Sequence, residues 1–187
     1  MRRVWTAVAA ASLLSIVLAS PAGARSDRAG ISKSPAAKYA ASSVSALEAQ
    51  VLADVNALRR ERGLRPLRFS GQLSRAADVH SHDMARQGYF SHSSRDGSAF
   101  WRRVERFYPS TGYRSWIVGE NLVWASPDLS SAGALSMWMG SPPHRANLLS
   151  KQWREMGLAA IHVAAAPGVF GGHQVTIVTA NFGSRTR

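Results

Sequence analysis

The chain has 187 residues, no cysteine, and a formal net charge of +12 from 23 lysines and arginines against 11 acids. Without cysteine there is no disulfide framework and no site for a lipidated cysteine, so an exported domain of this size must be held by its apolar core. Arginine outnumbers lysine 20 to 3, yet no basic stripe alternates with aromatics, which excludes a single-strand nucleic-acid groove and leaves either solvated helix faces or attraction to anionic cell-surface polymers or lipid head groups.

Arg2 and Arg3 open the chain, and Val4 to Ala19 is almost wholly apolar. The small residues of Pro21-Ala22-Gly23-Ala24 supply a cleavage site, so residues 1–24 read as a Sec-type signal peptide cut after Ala24 and the protein as secreted. An apolar run of 16 residues is too short to favour a membrane anchor, and no later segment could span a bilayer. Removing the peptide leaves 163 residues and a charge of +10, enough for one domain, expected to be monomeric. Residues 25–42, rich in Ser, Ala, Gly and Lys and without periodicity, read as a flexible leader, and residues 43–187 as the folded domain.

Helical periodicity then sets in. Val44, Leu47, Val51, Val55 and Leu58 recur every three or four residues, opened by the capping box Ser45-Ala-Leu-Glu48 and closed by Gly63. Arg59, Arg60, Glu61 and Arg62 read as one solvated face of this helix. A second helix spans about Ser70 to Arg86, with Leu73, Ala76, Ala77, His80 and Met84 on one side and Gly88 past its end. A third follows Ser98, carrying Phe100, Trp101, Val104 and Phe107. A fourth starts near Asp128 with Leu129, Ala132, Leu135 and Trp138 inward. Ile117-Val118 is a possible strand end. Met156–Ala164 and His173–Phe182 are rich in β-branched residues and joined by a Pro- and Gly-containing loop, a hairpin pattern. Helices first and an antiparallel hairpin last imply an α+β layered domain.

Three segments carry the polar chemistry. Ser141-Pro142-Pro143-His144 is a helix start, with Ser as N-cap and proline at the first position. The Ser141 hydroxyl is expected to cap the His144 amide and to put the ring at the positive end of a helix dipole, keeping it neutral. Glu120 lies between the turn-prone Gly119 and Asn121, and His92 follows the aromatic pair Tyr89-Phe90 just after the second helix. His80 and His82, two apart on a helix, point roughly 200° apart and cannot chelate one ion. His80 shares its side with Ala76, Ala77 and Met84 and reads as a satisfied core histidine. No His-Glu-x-x-His, Gly-x-Ser-x-Gly or Gly-rich phosphate loop is present, which argues against the standard protease, esterase and nucleotide-binding classes.

The ordered series His80-Ser-His-Asp-Met84, Tyr89-Phe-Ser-His92, Gly119-Glu-Asn121, Trp138-Met-Gly-Ser-Pro-Pro-His-Arg-Ala-Asn147, Met156-Gly157 and Asn181-Phe-Gly183 resembles the bacterial, SCP-like extracellular branch of the CAP superfamily. That superfamily unites cysteine-rich secretory, antigen 5 and pathogenesis-related 1 proteins. The resemblance covers roughly residues 45 to 183 and implies an α-β-α sandwich, with helices on a small, mainly antiparallel sheet and a large central cleft. It also implies a tetrad of two histidines and two acids, of which His92, Glu120 and His144 match three. The fourth position, three residues after Trp138, holds Ser141, so a mechanism needing two carboxylates is in doubt.

Three functions stay open at this level. One is a binding module in which His92 and His144 hold a divalent metal, zinc above all, with Glu120 as third ligand or as a partner behind them, in a cleft for an envelope or extracellular ligand. A second is a metal-assisted hydrolase of peptide or peptidoglycan bonds, with Glu120 and His144 catalytic. A third is a metal-free lipid or sterol carrier whose apolar surface is made by Trp101, Phe107, Tyr108, Tyr113, Trp116 and Trp124.

Overall fold

The computed structural model describes residues 6–8 and 35–187, with side chains described from residue 46 onward. The cleavage site after Ala24 and the leader up to residue 34 lie outside the described residues. A short strand, β1 (Thr6–Val8), falls within the segment the sequence marks as a signal peptide.

The first helix, α1, runs Pro35–Glu61. It starts well before Ser45, and Glu48 closes no capping box there: its carboxylate accepts the Ala160 amide at 3.0 Å. The two-residue strand β2 (Arg68–Phe69) follows, unmarked by any periodicity. Helix α2 (Gly71–Gln87) begins at Ser70, whose hydroxyl accepts the Leu73 amide, and ends at Gly88 with φ 68°. Only glycine takes that angle without strain. Helix α3 is Phe100–Phe107 and strand β3 is Ser115–Ala125. Helices α4 (Ser131–Gly140) and α5 (Pro142–Leu149) meet at Ser141. The hairpin expected at the end is strands β4 (Glu155–Ala166) and β5 (His173–Thr186), joined through a 3-10 turn at Gly168–Phe170.

The strands form one sheet in the order β1-β3-β5-β4-β2. Its centre, β3-β5-β4, is antiparallel, and only the two short outer strands pair in parallel. Side chains alternate across the sheet, so each strand serves two layers. Met156, Leu158, Val178, Ala180 and Phe182 face α1, α4 and α5, packing with Val51, Val55, Trp138, Leu148 and Trp153. On the opposite face, α2 and α3 cover Val118, Leu122 and Ile177 through two further apolar clusters. The result is the α-β-α sandwich expected from the sequence. The α2 layer sits directly on backbone: a Cβ at Gly157 would meet the Ser74 nitrogen at 2.1 Å.

Two local expectations fail. Helix α4 starts at Ser131, whose predecessor Ser130 caps the Gly133 amide, and Ala132 faces solvent while Ala134 is buried instead. Arg59 is no part of a solvated face, being 1% exposed. Its guanidinium donates to the carbonyls of Arg65, Leu148 and Ser150, which ties the end of α1 to the C-terminal end of α5. A buried cation is tolerated there because three carbonyl dipoles replace its water.

Candidate functional site

Glu120 is not in a turn. It lies in the middle of β3, one residue past the stretch paired with β1 and opposite Asn181 of β5. Gly119 precedes it for a packing reason: a Cβ there would meet Cζ2 of Trp153 at 2.8 Å. Trp153 in turn donates its indole N–H to the Asn147 carbonyl of α5 at 2.9 Å.

Alternation sends the Glu120 side chain to the α2–α3 face and that of Asn121 to the α5 face. Glu120 is 1% exposed. One oxygen accepts Nδ1–H of His92 at 2.9 Å and the other accepts Nη2–H of Arg103 at 2.6 Å. Arg103 is the residue the sequence reading missed. It comes from the buried side of α3 beside Phe100 and Val104, and it also donates to the Ser94 hydroxyl and the His92 carbonyl. An arginine on an apolar helical stripe needs carboxylate or carbonyl partners, and that requirement was the available signal.

The α5 side is held by amides. Asn147 donates to the Glu120 carbonyl at 3.2 Å and to the Asn121 side-chain oxygen at 2.9 Å. Asn121 donates to the His144 carbonyl at 3.0 Å. These bonds fix the start of α5 against β3. The Ser141 hydroxyl makes no cap bond, contrary to expectation; its carbonyl accepts the Arg145 amide at 2.8 Å instead. Pro142 and Pro143 already remove two of the amides that a helix start must satisfy.

The structure brings His92, Glu120 and His144 together. The imidazoles of His92 and His144 lie 6.4 Å apart, centroid to centroid, with planes inclined by 48°. Because the carboxylate accepts from Nδ1 of His92, that ring presents its Nε2 lone pair. Nε2 of His92 and Nε2 of His144 are both buried without a hydrogen-bond partner. Buried polar atoms are rarely left so, and imidazole nitrogens are ligand atoms of the kind that zinc takes. Among the described residues no group of three or more His, Asp or Glu side chains is placed to hold a metal ion.

The electrostatics agree with that donor set. Burial, with His92 beside it, depresses the His144 pKa below its ordinary 6.5 and keeps the ring neutral. Burial opposes ionisation of Glu120, but the hydrogen bond from His92 and the charge of Arg103 outweigh it and hold the carboxyl below its ordinary 4.5. His80 also borders this network. Its Nε2–H donates to the Ser91 carbonyl at 2.8 Å, while Nδ1 is buried with no partner. Burial pushes its pKa down to about 4. It is a core histidine as expected, but only half satisfied.

The six aromatics considered for an apolar surface do not form one. Tyr108 and Trp116 are core residues packed with Trp101 and Phe107, Trp124 packs in a separate cluster, and Tyr113 lies under the Arg185 guanidinium.

The profile of the cysteine-rich secretory protein family, CAP, matches residues 52–182, and the chain belongs to that family. Among its relatives is the uncharacterized protein YkwD of Bacillus subtilis, 33% identical over 122 residues. That alignment covers 65% of this chain and 45% of YkwD. The B. subtilis membrane protein YlbC is 29% identical over 111 residues, 59% of this chain and 30% of that one. This chain thus spans less than half the length of either. Among solved structures, an extracellular SCP-domain protein of Bacillus anthracis superposes with a TM-score of 0.61 at 25% identity, covering 84% of this chain and 45% of that one. An outer surface protein of Borrelia burgdorferi shares the fold, with a TM-score of 0.57 at 16% identity over 73% of this chain and 90% of its own.

Proposed function

We propose that this is a secreted CAP-domain protein in which His92 and His144 bind a divalent cation, zinc above all, and present it to an envelope or extracellular ligand. The observation that supports this is the pair of orphaned Nε2 atoms on rings 6.4 Å apart. Glu120 serves as the partner behind His92, fixing its tautomer as carboxylates behind metal-bound histidines do. Its two oxygens each accept one hydrogen bond, from His92 and from Arg103, which hold the carboxylate in place behind His92. The pairing with Arg103 and the lowered pKa favour binding over hydrolysis, because a carboxylate stabilised in its ionised form is a weak base toward water. A bound zinc ion would supply Lewis acidity and coordination positions open to a ligand. Export is supported by the signal-peptide pattern and by the extracellular description of the B. anthracis relative.

Thermal unfolding with and without zinc tests the reading. At a hundredfold excess over Kd the ion adds about 2.7 kcal/mol, a rise of roughly 5–10 °C for a domain of this size. His92→Ala and His144→Ala should each abolish the rise. A wild type indifferent to zinc, or variants that respond as it does, would refute the proposal.

A further inference from the structure

Beside the histidine site, a cavity of about 310 Å3 opens between the second half of α2, the loop after it, and α3. Four arginines line it: Arg86 from the last turn of α2, Arg95 from the loop, and Arg103 and Arg106 one turn apart on α3. Only two acids, Asp83 and Asp96, share the wall, and each is already engaged. Asp83 accepts the Tyr89 hydroxyl at 2.5 Å, and Asp96 accepts the Ser98 amide at 2.9 Å.

The arginines are less fully matched. Arg103 has its two terminal nitrogens on Glu120, His92 and Ser94, yet its Nε–H is buried with no partner, on a side chain 6% exposed. Arg95 spends one nitrogen on the Gln87 carbonyl. Arg86 and Arg106 are exposed, and neither makes a salt bridge among the described residues. Guanidinium groups converging from three segments suit a tetrahedral oxyanion better than a planar carboxylate, because each can take a different oxygen. Ser94 and Ser98, also on the wall, add neutral polar groups for the remaining oxygens.

We propose that this cavity binds a phosphate group, either that of a small soluble phosphate ester or that of a lipid head group. The site lies beside the imidazole pair and meets its network at two residues, Arg103, which joins the two through Glu120, and His80, which lies on the wall. Its space exceeds a bare phosphate, leaving room for the substituent of an ester.

Titration of the purified protein with inorganic phosphate, against chloride at equal ionic strength, is the first measurement. Saturable binding is expected, weakened at least tenfold in the double variant Arg86→Gln/Arg106→Gln. Both side chains are exposed, so the fold and the zinc response should be unchanged, and failure here is separable from failure of the metal site. Glycerol phosphate and phosphatidylglycerol vesicles then divide the sources. Binding of glycerol phosphate without vesicles assigns a soluble ester, whereas vesicle binding lost in the double variant assigns a head group. Absence of saturable phosphate binding, or equal affinity in the double variant, overturns the proposal, even if vesicles adhere through general charge.

Discussion

The two faces of the central sheet both carry apolar clusters, but they use close approach to the strands to different ends. On the α2 face, Gly157 and Gly183 remove side chains so that helix and aromatic ring rest on strand backbone, and apolar clusters fill the rest. At β3 the same device appears once, at Gly119, but what it admits is Trp153, whose indole fixes Asn147 and through it the start of α5. The first arrangement makes a rigid floor. The second uses that rigidity to hold polar groups in an unfavourable place, an ionised carboxylate and, beside its His92 partner, a neutral imidazole. Two partnerless nitrogens are the product, and packing elsewhere supplies the stability to keep them so.

Substitution at the two glycines should separate floor from site. Gly157→Val drives a side chain into the backbone of α2, which cannot retreat without parting from the sheet, and should cost about 4 kcal/mol or more in denaturant unfolding. Gly119→Ala meets a side chain that can shift and should cost about 1–3 kcal/mol. Its further effect should be a weakened zinc response, since α5 loses its anchor. Equal costs would show that both contacts are of one kind.

Removing one partner of the buried ion pair should rank next. Arg103→Leu leaves the Glu120 charge uncompensated and should destabilise by about 3 kcal/mol at neutral pH. The loss should shrink at acid pH, where the carboxyl can protonate.

The pH profile sharpens the same contrast. His80 has an ordinary pKa of 6.5 and a folded value of about 4, so the unfolded chain binds the extra proton. Its contribution is therefore fully present above 6.5 and fades as the pH falls to about 4, by about 3 kcal/mol in all. His144 acts with the same sign. Glu120, also lowered, contributes above its ordinary 4.5 and loses that contribution as the pH drops through its folded value. Unfolding measured from pH 7 to 4 should show a steady decline that His80→Gln makes markedly shallower. An unchanged slope would mean that the Glu120 carboxylate offsets burial and lets His80 charge as it does in the unfolded chain.

The smallest effect is expected at Ser141. Its hydroxyl makes no cap bond, so Ser141→Ala should change stability by less than about 0.5 kcal/mol.

Much of the floor was legible in the sequence. Apolar spacing gave α2 its buried side and Gly88 its end, and β-branched runs gave the hairpin, because both signals are local. The start of α1 and the strand β2 were not, since they show only with distant partners: Glu48 is drawn to Ala160 instead of closing a cap, and Arg68 and Phe69 are strands only by pairing with β4. The site was legible in part. Ordered motifs marked His92, Glu120 and His144, but Gly119-Glu120-Asn121 read as a turn because glycine needed for close approach looks like glycine needed for an unusual backbone angle. Arg59 read as a solvated charge and Arg103 drew no reading at all, because burial of a cation shows only once its carbonyl or carboxylate partners are in place.

The most direct test is a crystal grown with zinc and measured at the zinc absorption edge. Anomalous density is expected about 2.0–2.1 Å from Nε2 of both His92 and His144, with Glu120 still bonded to His92 and Arg103. Density centred on the Glu120 carboxylate, or none between the two rings, would contradict it.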